Sequence, residues 1–345
     1  MPLVELLQVE VHASPTFGAA WPVAAATVLT LGVLAVARRP LHPALTVLWQ
    51  LRTPLAIAGC FVAGACAGLG AGPAALGCAS AALALFARLG FERARGRTRI
   101  SMDRPHLALH VLTHNCGLHR SDPARVATFL ADCGAEVIGV QEVQRAHEVA
   151  FAVQLGESHP HQVMHPTGVD GIGLLSRYPI LSSELVRLDG AHPYLRADVD
   201  APGGPVHFIV FHPSAALALV GRAHAAVRDA VRLAADANRH APAVLMGDLN
   251  STDATEAWDA FAEAGLVDAF RSVGRGAGVT FPVPFKYLWL PVPPLVRIDF
   301  IFTTDGLLPT QAEVGPPTTS DHLPLFATLA RVSVASGARD ATRAG

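Results

Sequence analysis

The sequence predicts an α/β fold, in which two β-sheets are sandwiched between layers of helices, preceded by an apolar helical region. Past residue 105, short apolar runs alternate with amphipathic segments, which is typical of packed sheet and helix layers. Before that residue, two long stretches, 17–37 and 53–87, contain no charged residue. In the second part, acids, amides and histidines recur at the ends of apolar runs. These observations predict a domain with a polar site at one rim of its sheets.

Charge separates the two parts as clearly as hydropathy does. Only 16% of the residues are charged, against about 25% in an average soluble domain. Residues 1–105 carry nine Arg and four acids, whereas residues 106–332 carry 15 basic and 23 acidic residues. Nucleases hold the phosphate backbone with basic surfaces, so an acidic second part argues against a nuclease that grips a duplex.

The first apolar stretch predicts a membrane span. It covers 17–37, and about 20 apolar residues cross a hydrocarbon core of about 30 Å. Glu5 and Glu10 precede it and no cation does, whereas a signal peptide begins with cations. We therefore expect a retained span rather than a cleaved leader.

The second apolar stretch predicts a hairpin of two shorter spans. Residues 54–87 are too many for one span, and "GAGP" at 70–73 interrupts them. Abundant Gly, Ala and Ser favour close helix packing in a membrane. A buried helical hairpin of a soluble protein is the alternative. The prediction is a membrane region over 1–104, with three helices at about 17–37, 54–70 and 72–88.

Arginine placement predicts the orientation of these spans. Arg38, Arg39 and Arg52 lie between the first and second spans, and six arginines follow the third one between residues 88 and 104. Because cations beside a span favour the cytoplasmic side, the N-terminus would lie outside and the second part would lie in the cytoplasm.

The second part, 105–332, is predicted to be one catalytic domain of strands and helices. A strand at 106–115 is followed by a helix over 122–134, with Asp122 as N-cap, Pro123 in the first turn and Gly134 at its end. Further strands are predicted at 136–143, 171–176, 194–200, 206–212, 243–250, 296–303 and 324–332, and a long helix at 221–240. The small, polar tail 333–345 is expected to be disordered.

Eight polar residues lie at the ends or starts of these strands. They are Asn115, Glu142, His212, Asp248, Asn250, Asp299, Asp321 and His322. Taken singly, each has a structural explanation, such as a turn-forming Asn or a Glu that pairs with an Arg. Strand ends on one rim of a sheet converge, and ligand sites favour that rim. The recurrence therefore predicts one site built from these side chains.

The donor types indicate phosphoester hydrolysis assisted by a hard divalent cation. Mg²⁺ prefers carboxylate, amide and water oxygens together with substrate phosphate oxygens. None of the five Cys forms a CxxC pair, which argues against a zinc ribbon. His159, His161 and His165 are close in sequence, but a solvated loop is a better prediction for them than a zinc site. Mg²⁺ is the predicted cofactor, with Mn²⁺ as the alternative.

Six short motifs, in order, resemble the endonuclease/exonuclease/phosphatase superfamily. They are "THNCG" (113–117), "IGVQEV" (138–143), "GLLSRYPI" (173–180), "GDLN" (247–250), "RIDFIF" (297–302) and "SDHLPL" (320–325). One alone is weak evidence, but all six in sequence are specific. The resemblance implies a four-layer α/β/β/α sandwich and a metal-dependent hydrolase that acts on phosphoester or phosphoanhydride bonds.

The resemblance also implies a role for each predicted site residue. The metal ligands would be Asn115, Glu142 and Asp321. The catalytic groups would be His212 on the phosphate, Asp248 on the attacking water, Asn250 on the phosphate or on that Asp, and His322 on the transition state, with Asp299 orienting His322.

At two positions the sequence differs from the usual motifs of the family and resembles a membrane-bound bacterial subgroup that includes teicoplanin-resistance-type proteins. Phe211-His212-Pro213 stands where the family usually has Thr-His-Leu, and "TFP" at 280–282 stands where relatives often have Thr-Trp-Pro. Those proteins are thought to act on lipid pyrophosphates, with the catalytic domain outside the cytoplasmic membrane. That side of the membrane conflicts with the arginine distribution, and the sequence leaves both sides open.

The predicted substrate is a membrane lipid phosphate. The apolar, proline-broken stretch 280–296 precedes Asp299, and it is either a loop that covers the core or an apolar rim that faces the bilayer. Anchoring makes access to lipids feasible. We predict a membrane-anchored, Mg²⁺-dependent phosphoesterase in which water attacks a lipid-linked phosphate ester or pyrophosphate. The alternatives are a membrane-tethered nuclease and an inactive scaffold that uses the fold for binding.

Overall fold

A computed structural model describes most of the chain. The described residues are 15–36, 48, 51–95, 108–117, 121–187, 192–213, 223–283 and 294–332. They fall into two compact units, a helical unit that ends at Glu92 and a larger unit that contains the strands. The tail 333–345 and most of the apolar stretch 280–296 lie outside the described residues, so the predictions made for them stay predictions.

The helical unit contains three apolar helices, close to the predicted bounds. They are α1 Pro15–Val36, α2 Arg52–Gly68 and α3 Gly72–Arg95. In the part of the chain that the structure describes, one stretch, Gly72–Gly90, is long and apolar enough to cross a membrane, with a mean hydropathy of 1.4 over 19 residues. The apolar runs Trp21–Val36 and Arg52–Gly68 are shorter. Three helices therefore form as predicted, and their insertion in a membrane stays a prediction.

The larger unit contains, within the described ranges, twelve strands and five α-helices. The strands are β1 Ala108–Asn115, β2 Val137–Gln141, β3 His161–His165, β4 Ile172–Ser176, β5 Ile180–Val186, β6 Tyr194–Ala201, β7 Gly204–Phe211, β8 Ala243–Asp248, β9 Val267–Asp268, β10 Asp299–Thr303, β11 Leu307–Val314 and β12 Leu325–Arg331. The helices are α4 Pro123–Asp132, α5 Arg145–Leu155, α6 Ala223–Arg239, α7 Glu256–Glu263 and α8 Ala269–Val273.

The strands form two mixed, six-stranded sheets with matching topology. The order is β11-β12-β1-β2-β4-β3 in the first sheet and β5-β6-β7-β8-β10-β9 in the second. In each sheet the central pair, β1 with β2 and β7 with β8, is parallel, and the other pairs are antiparallel. Each parallel pair is joined by a crossover that contains a helix, which is what parallel neighbours require.

Alternation of side chains along the strands builds three apolar layers. One face of each sheet supplies the core between the sheets, which includes Val111, Phe208 and Met246. The outer face of the first sheet packs on α4 and α5, and the outer face of the second packs on α6 and α7. The aromatic rings of Phe261 and Phe302 stack in the second of these outer cores, with centroids 4.6 Å apart. Two mixed sheets flanked by helices confirm the predicted sandwich.

The ends of α4 follow the prediction made from its sequence. The carboxylate of Asp122 accepts hydrogen bonds from the backbone N–H groups of Ala124 and Arg125, which otherwise lack partners at a helix start. Pro123 occupies the first turn, where its missing N–H costs nothing. Gly134 lies just past the helix with a φ of +78°, a conformation that favours glycine.

The prediction of a solvated loop around three histidines is wrong. His161 and His165 bound the edge strand β3, which pairs with β4. His159 is fully buried, and its Nε2 donates to the carbonyl oxygen of Ala135 at 3.0 Å. Because this histidine is partnered in the core, its side chain has a structural role.

Candidate active site

The carboxyl ends of the two central parallel pairs meet at one rim of the sandwich. Asn115 ends β1 and Asp248 ends β8, in different sheets. The side-chain amide of Asn115 donates to Oδ2 of Asp248 at 3.0 Å. This hydrogen bond joins the two sheets at the rim where the sequence predicted a site.

Glu142 follows β2 and joins the same group. Its backbone has a φ of +55°, which is uncommon for a residue other than glycine and turns the chain sharply off the strand end. Oε1 of Glu142 accepts a hydrogen bond of 3.3 Å from the amide of Asn115. The side chain is 20% exposed, so the carboxylate is at the border between solvent and the buried centre.

Asp248 is at the centre of the group. Its Oδ1 accepts a 2.7 Å hydrogen bond from the backbone N–H of Asn250. Its Oδ2 lies 3.6 Å from Nε2 of His212 and 3.7 Å from Nε2 of His322. Burial raises the pKa of Asp248 to about 6, although the imidazoles of His322 and His212 oppose this shift.

His322 is held by Asp299 in a buried pair. Nδ1 of His322 donates to Oδ2 of Asp299 at 3.0 Å, which leaves Nε2 directed towards Asp248. Burial lowers the pKa of His322, but the carboxylates of Asp299 and Asp248 raise it overall to about 10. The ring of Phe281 packs on the imidazole, with centroids 4.8 Å apart. His322 is thus oriented to donate a hydrogen bond at the centre of the site.

His212 is oriented by a backbone contact. It directly follows β7, and its Nδ1 donates to the carbonyl oxygen of Val169 at 3.0 Å. Its Nε2 then faces the carboxylates of Glu142, at 3.8 Å, and of Asp248, at 3.6 Å. Two imidazole Nε2 atoms, from His212 and His322, therefore face the same carboxylate oxygen.

Asn250 and Asp321 lie at the edge of this group. The amide of Asn250 donates to the carbonyl oxygen of Pro213 at 2.9 Å, which ties the loop after β8 to the end of β7. The backbone oxygen of Asp321 accepts from Val283 N–H at 2.8 Å, and its carboxylate borders Gly117. The sequence predicted direct roles for both side chains, and these roles stay predictions.

Ser320 joins two parts of the site and was missed by sequence reasoning. Its hydroxyl donates to the carbonyl oxygen of Asn115 at 2.7 Å and accepts from the backbone N–H of His322 at 3.0 Å. It thereby fixes the loop that carries His322 to the end of β1. The only sequence signal was a small hydroxyl residue directly before Asp321-His322, which is also common in ordinary turns.

The loop after β1 leaves no room for a side chain at Gly117. Its φ is +73°, and a Cβ there would come 2.8 Å from Oδ1 of Asp321 and 3.0 Å from Oγ of Ser320. We expect Gly117→Ala to displace this loop and to lower turnover by roughly 10- to 100-fold, because small misplacements of reacting groups are costly. Steady-state kinetics on a phosphodiester and thermal unfolding measure the two effects.

Gly134→Ala is a matched control for that substitution. Gly134 has a similar φ of +78°, but nothing lies within 4 Å of its Cβ position. The backbone strain, of about 1 kcal/mol, is then shared by both variants, while the steric conflict is present in only one. Equal loss of activity in both variants would contradict the proposed close packing at the site.

The residues of the rim fit a divalent cation. The carboxylates of Glu142, Asp248 and Asp299 converge there, and the available donors are mainly oxygens, which suits Mg²⁺. Oδ1 of Asp299 is buried and has no hydrogen-bond partner among the described residues. Ligand atoms of Asp248, Asp299 and His322 lie within 4.8 Å of one another. His322 already donates to Asp299, so the carboxylates are better ligands than its imidazole, and Asn115 faces them with its NH2 group.

The structure is a two-sheet α/β sandwich with a centre of acidic and histidine side chains at one rim. The model of the Endonuclease/Exonuclease/phosphatase family matches residues 112–322, and the chain belongs to this family. Members of this superfamily are typically metal-dependent hydrolases of phosphodiester bonds. The superfamily predicted from the six motifs is thus confirmed.

Solved structures share the fold at low sequence identity. An endonuclease/exonuclease/phosphatase from Bacteroides vulgatus is 21% identical over 66% of this chain and 100% of its own, with a TM-score of 0.53. A functionally unknown conserved protein from Enterococcus faecalis V583 is 16% identical over 65% and 100%, with a TM-score of 0.54. TDP2 of D. rerio, complexed with a single strand DNA product, is 19% identical over 64% and 98%, with a TM-score of 0.51. No curated protein gave a significant sequence match.

Proposed function

We propose that the protein is a Mg²⁺-dependent phosphoesterase that cleaves a phosphate ester or a pyrophosphate by attack of water. The observation that carries this proposal is the hydrogen bond between Asn115 and Asp248, because it joins the ends of the two sheets into one centre. Around that bond lie a partly exposed carboxylate and two oriented imidazoles, from Glu142, His212 and His322. This set can bind a hard cation, position water and donate to a phosphate.

Glu142, Asn115 and Asp321 would hold the metal. A bound divalent cation neutralises charge on the phosphoryl oxygens and acts as a Lewis acid. In the structure the NH2 group of Asn115 donates to Glu142 and Asp248 and keeps their carboxylates in place, so ligation by Oδ1 of Asn115 requires its amide to turn. The backbone N–H of Gly117 donates to Oδ1 of Asn115 at 2.9 Å, which fixes the orientation of that amide.

Asp248 would position and deprotonate the attacking water. Its Oδ1 is fixed by Asn250, so the carboxylate presents a single orientation at the centre of the site. Burial raises the pKa of Asp248, which moves it towards the range in which a general base is most effective at neutral pH.

His212 and His322 would donate from Nε2 to the phosphate oxygens. Each has its Nδ1 occupied, by Val169 and by Asp299 respectively, so neither ring needs to reorganise during the reaction. Donors oriented in advance towards developing negative charge lower the barrier most effectively. Asp299 then acts as a positioning residue, through His322.

Removing divalent metal should abolish the activity. We expect EDTA treatment to lower turnover of a phosphodiester by about 100-fold or more, because several kcal/mol of charge stabilisation are lost. Added Mg²⁺ or Mn²⁺ should restore it. Turnover that persists in EDTA after exhaustive dialysis would contradict the proposal, and circular dichroism controls for unfolding.

We further propose that the N-terminal helices anchor the domain in a membrane and that the substrate is a lipid-linked phosphate. The apolar stretch Gly72–Gly90 and the acidic charge of residues 106–332 support this proposal. So does the resemblance to membrane-bound bacterial proteins at Phe211-His212-Pro213. A C-terminal reporter fusion distinguishes a cytoplasmic catalytic domain, which the arginines favour, from an extracytoplasmic one.

A nuclease is the second candidate function. It is favoured by the shared fold with TDP2 of D. rerio, whose structure contains a single strand DNA product. A panel with polyprenyl pyrophosphate, single-stranded DNA and plasmid DNA separates the candidates. Phosphate release from the lipid alone supports the lipid substrate, and DNA cleavage without lipid turnover overturns it. A folded, metal-binding protein without turnover on the panel would favour a binding scaffold.

A further inference from the structure

A second polar cluster lies on the outer face of the second sheet, away from the rim that carries Asp248. It consists of His207 in β7, Asp236 in α6 and His240, which follows α6. One ligand atom from each lies within 4.8 Å of the others. His207 precedes the end of β7 by four residues, so it is about 13 Å along the strand from the rim.

His207 presents a buried nitrogen without a partner. It is 5% exposed, and its Nδ1 donates to Oδ1 of Asp198 at 2.7 Å. In the neutral ring, this contact leaves the lone pair on Nε2. Nε2 is buried and has no hydrogen-bond partner among the described residues. A buried polar atom without a partner is costly, which indicates that it binds something else.

The contact of His207 with Asp198 is the arrangement that orients metal-binding histidines. In such sites a carboxylate accepts from one ring nitrogen and makes the other nitrogen a better ligand. Asp198 is adjacent to His207 across the β6–β7 pair, and its Oδ2 accepts a 2.6 Å hydrogen bond from Ser182.

Asp236 is likewise oriented with one oxygen towards the cluster. Its Oδ2 accepts a 3.0 Å hydrogen bond from the hydroxyl of Tyr194. Oδ1 lies 3.2 Å from Nδ1 of His240 and 3.5 Å from guanidinium nitrogens of Arg196 and Arg239.

We propose that His207, Asp236 and His240 bind a Zn²⁺-like transition-metal ion. The ligands would be Nε2 of His207, Oδ1 of Asp236 and a ring nitrogen of His240. Two imidazoles and one carboxylate suit Zn²⁺ and similar ions, whereas Mg²⁺ prefers an all-oxygen set. The side chain of His240 is 43% exposed, so a fourth position is open to water.

Metal binding requires a small movement that the structure permits. Tetrahedral ligands at about 2.0 Å from Zn²⁺ are about 3.3 Å apart, so the ring of His240 must turn out of its stack on His207. This turn releases the 2.9 Å hydrogen bond that Nδ1 of His240 donates to the backbone oxygen of Asp236. That stack has centroids 4.5 Å apart and an interplanar angle of 24°. The side chains of Arg239 and Arg196, 71% and 34% exposed, can withdraw from Oδ1 of Asp236, and Arg196 also contacts Glu184. The ion would then join the end of α6 to the second sheet.

Zinc binding by the purified full chain tests the proposal. Equilibrium dialysis against Zn²⁺, with millimolar Mg²⁺ present to occupy the hydrolytic centre, should show about one more bound equivalent in the wild type than in His240→Ala. Asp198→Asn should weaken this equivalent by about 10- to 100-fold, as substitutions of such orienting carboxylates do. Zn²⁺ should also raise the melting temperature of the wild type more than that of His240→Ala.

His161→Ala is the matched control, since it removes a half-buried histidine from the other sheet. It should retain the extra equivalent. Co²⁺ gives an independent readout, because a tetrahedral site with nitrogen ligands has visible absorption that His240→Ala should lose and His161→Ala should keep. Equal Zn²⁺ stoichiometry and equal affinity in the wild type and His240→Ala would overturn the proposal.

Discussion

His322→Gln is expected to lower kcat for phosphoester hydrolysis by about 100- to 1,000-fold, which is the typical cost of removing one oriented donor to a developing negative charge. The imidazole is buried, is held by Asp299 at 3.0 Å and directs Nε2 towards Asp248. Glutamine has a similar length but is neutral, and its amide cannot reproduce both contacts. Steady-state kinetics at saturating Mg²⁺ measure the loss.

Asp299→Asn, alone and combined with His322→Gln, tests the role of Asp299. If Asp299 acts only by positioning His322, Asp299→Asn should cost less than His322→Gln, and the double variant should lose no more than His322→Gln alone. Additive losses would show that Asp299 has a separate function, such as binding metal through its unpartnered Oδ1. His110→Gln is the control, because His110 is exposed on β1 and bonds to Thr328.

Glu142→Gln is expected to lower turnover strongly as well, because it weakens binding of the metal. The substitution keeps the size of the side chain but removes a charge from the cation site. We expect the apparent affinity for Mg²⁺ to fall by at least about 10-fold and turnover at low Mg²⁺ to fall by about 100-fold or more. Titration of activity with Mg²⁺ measures both quantities.

Added Mg²⁺ distinguishes the loss of activity in Glu142→Gln from the loss in His322→Gln. High Mg²⁺ should restore part of the activity of Glu142→Gln and none of that of His322→Gln, because only the first variant is limited by metal binding. Glu148→Gln is the control, since it removes an acid of α5 that pairs with Arg145 on the surface. An unchanged Mg²⁺ dependence in Glu142→Gln would exclude Glu142 as a metal ligand.

The strands that sequence reasoning missed are the edges of the two sheets. They are β3, β5, β9 and β11. Central strands are buried on both faces, so they appear in the sequence as continuous apolar runs, such as 208–211 in β7. An edge strand such as β5, Ile180–Val186, is half-buried or exposed along its length, and its sequence "ILSSELV" has little periodicity.

The sequence by itself determined the family, the sandwich and the rim at which the polar residues lie. Each of these depends on local patterns, such as an apolar run that ends in Asn115 or Asp248. Only the tertiary structure decided which side chains meet. Asp299 is opposite Asp248 in the β8–β10 register, Ser320 joins β1 to the loop of His322, and Asn115 contacts Asp248 across two sheets. The physical reason is that these contacts depend on strand register and sheet packing between residues far apart in the chain, which no local pattern encodes.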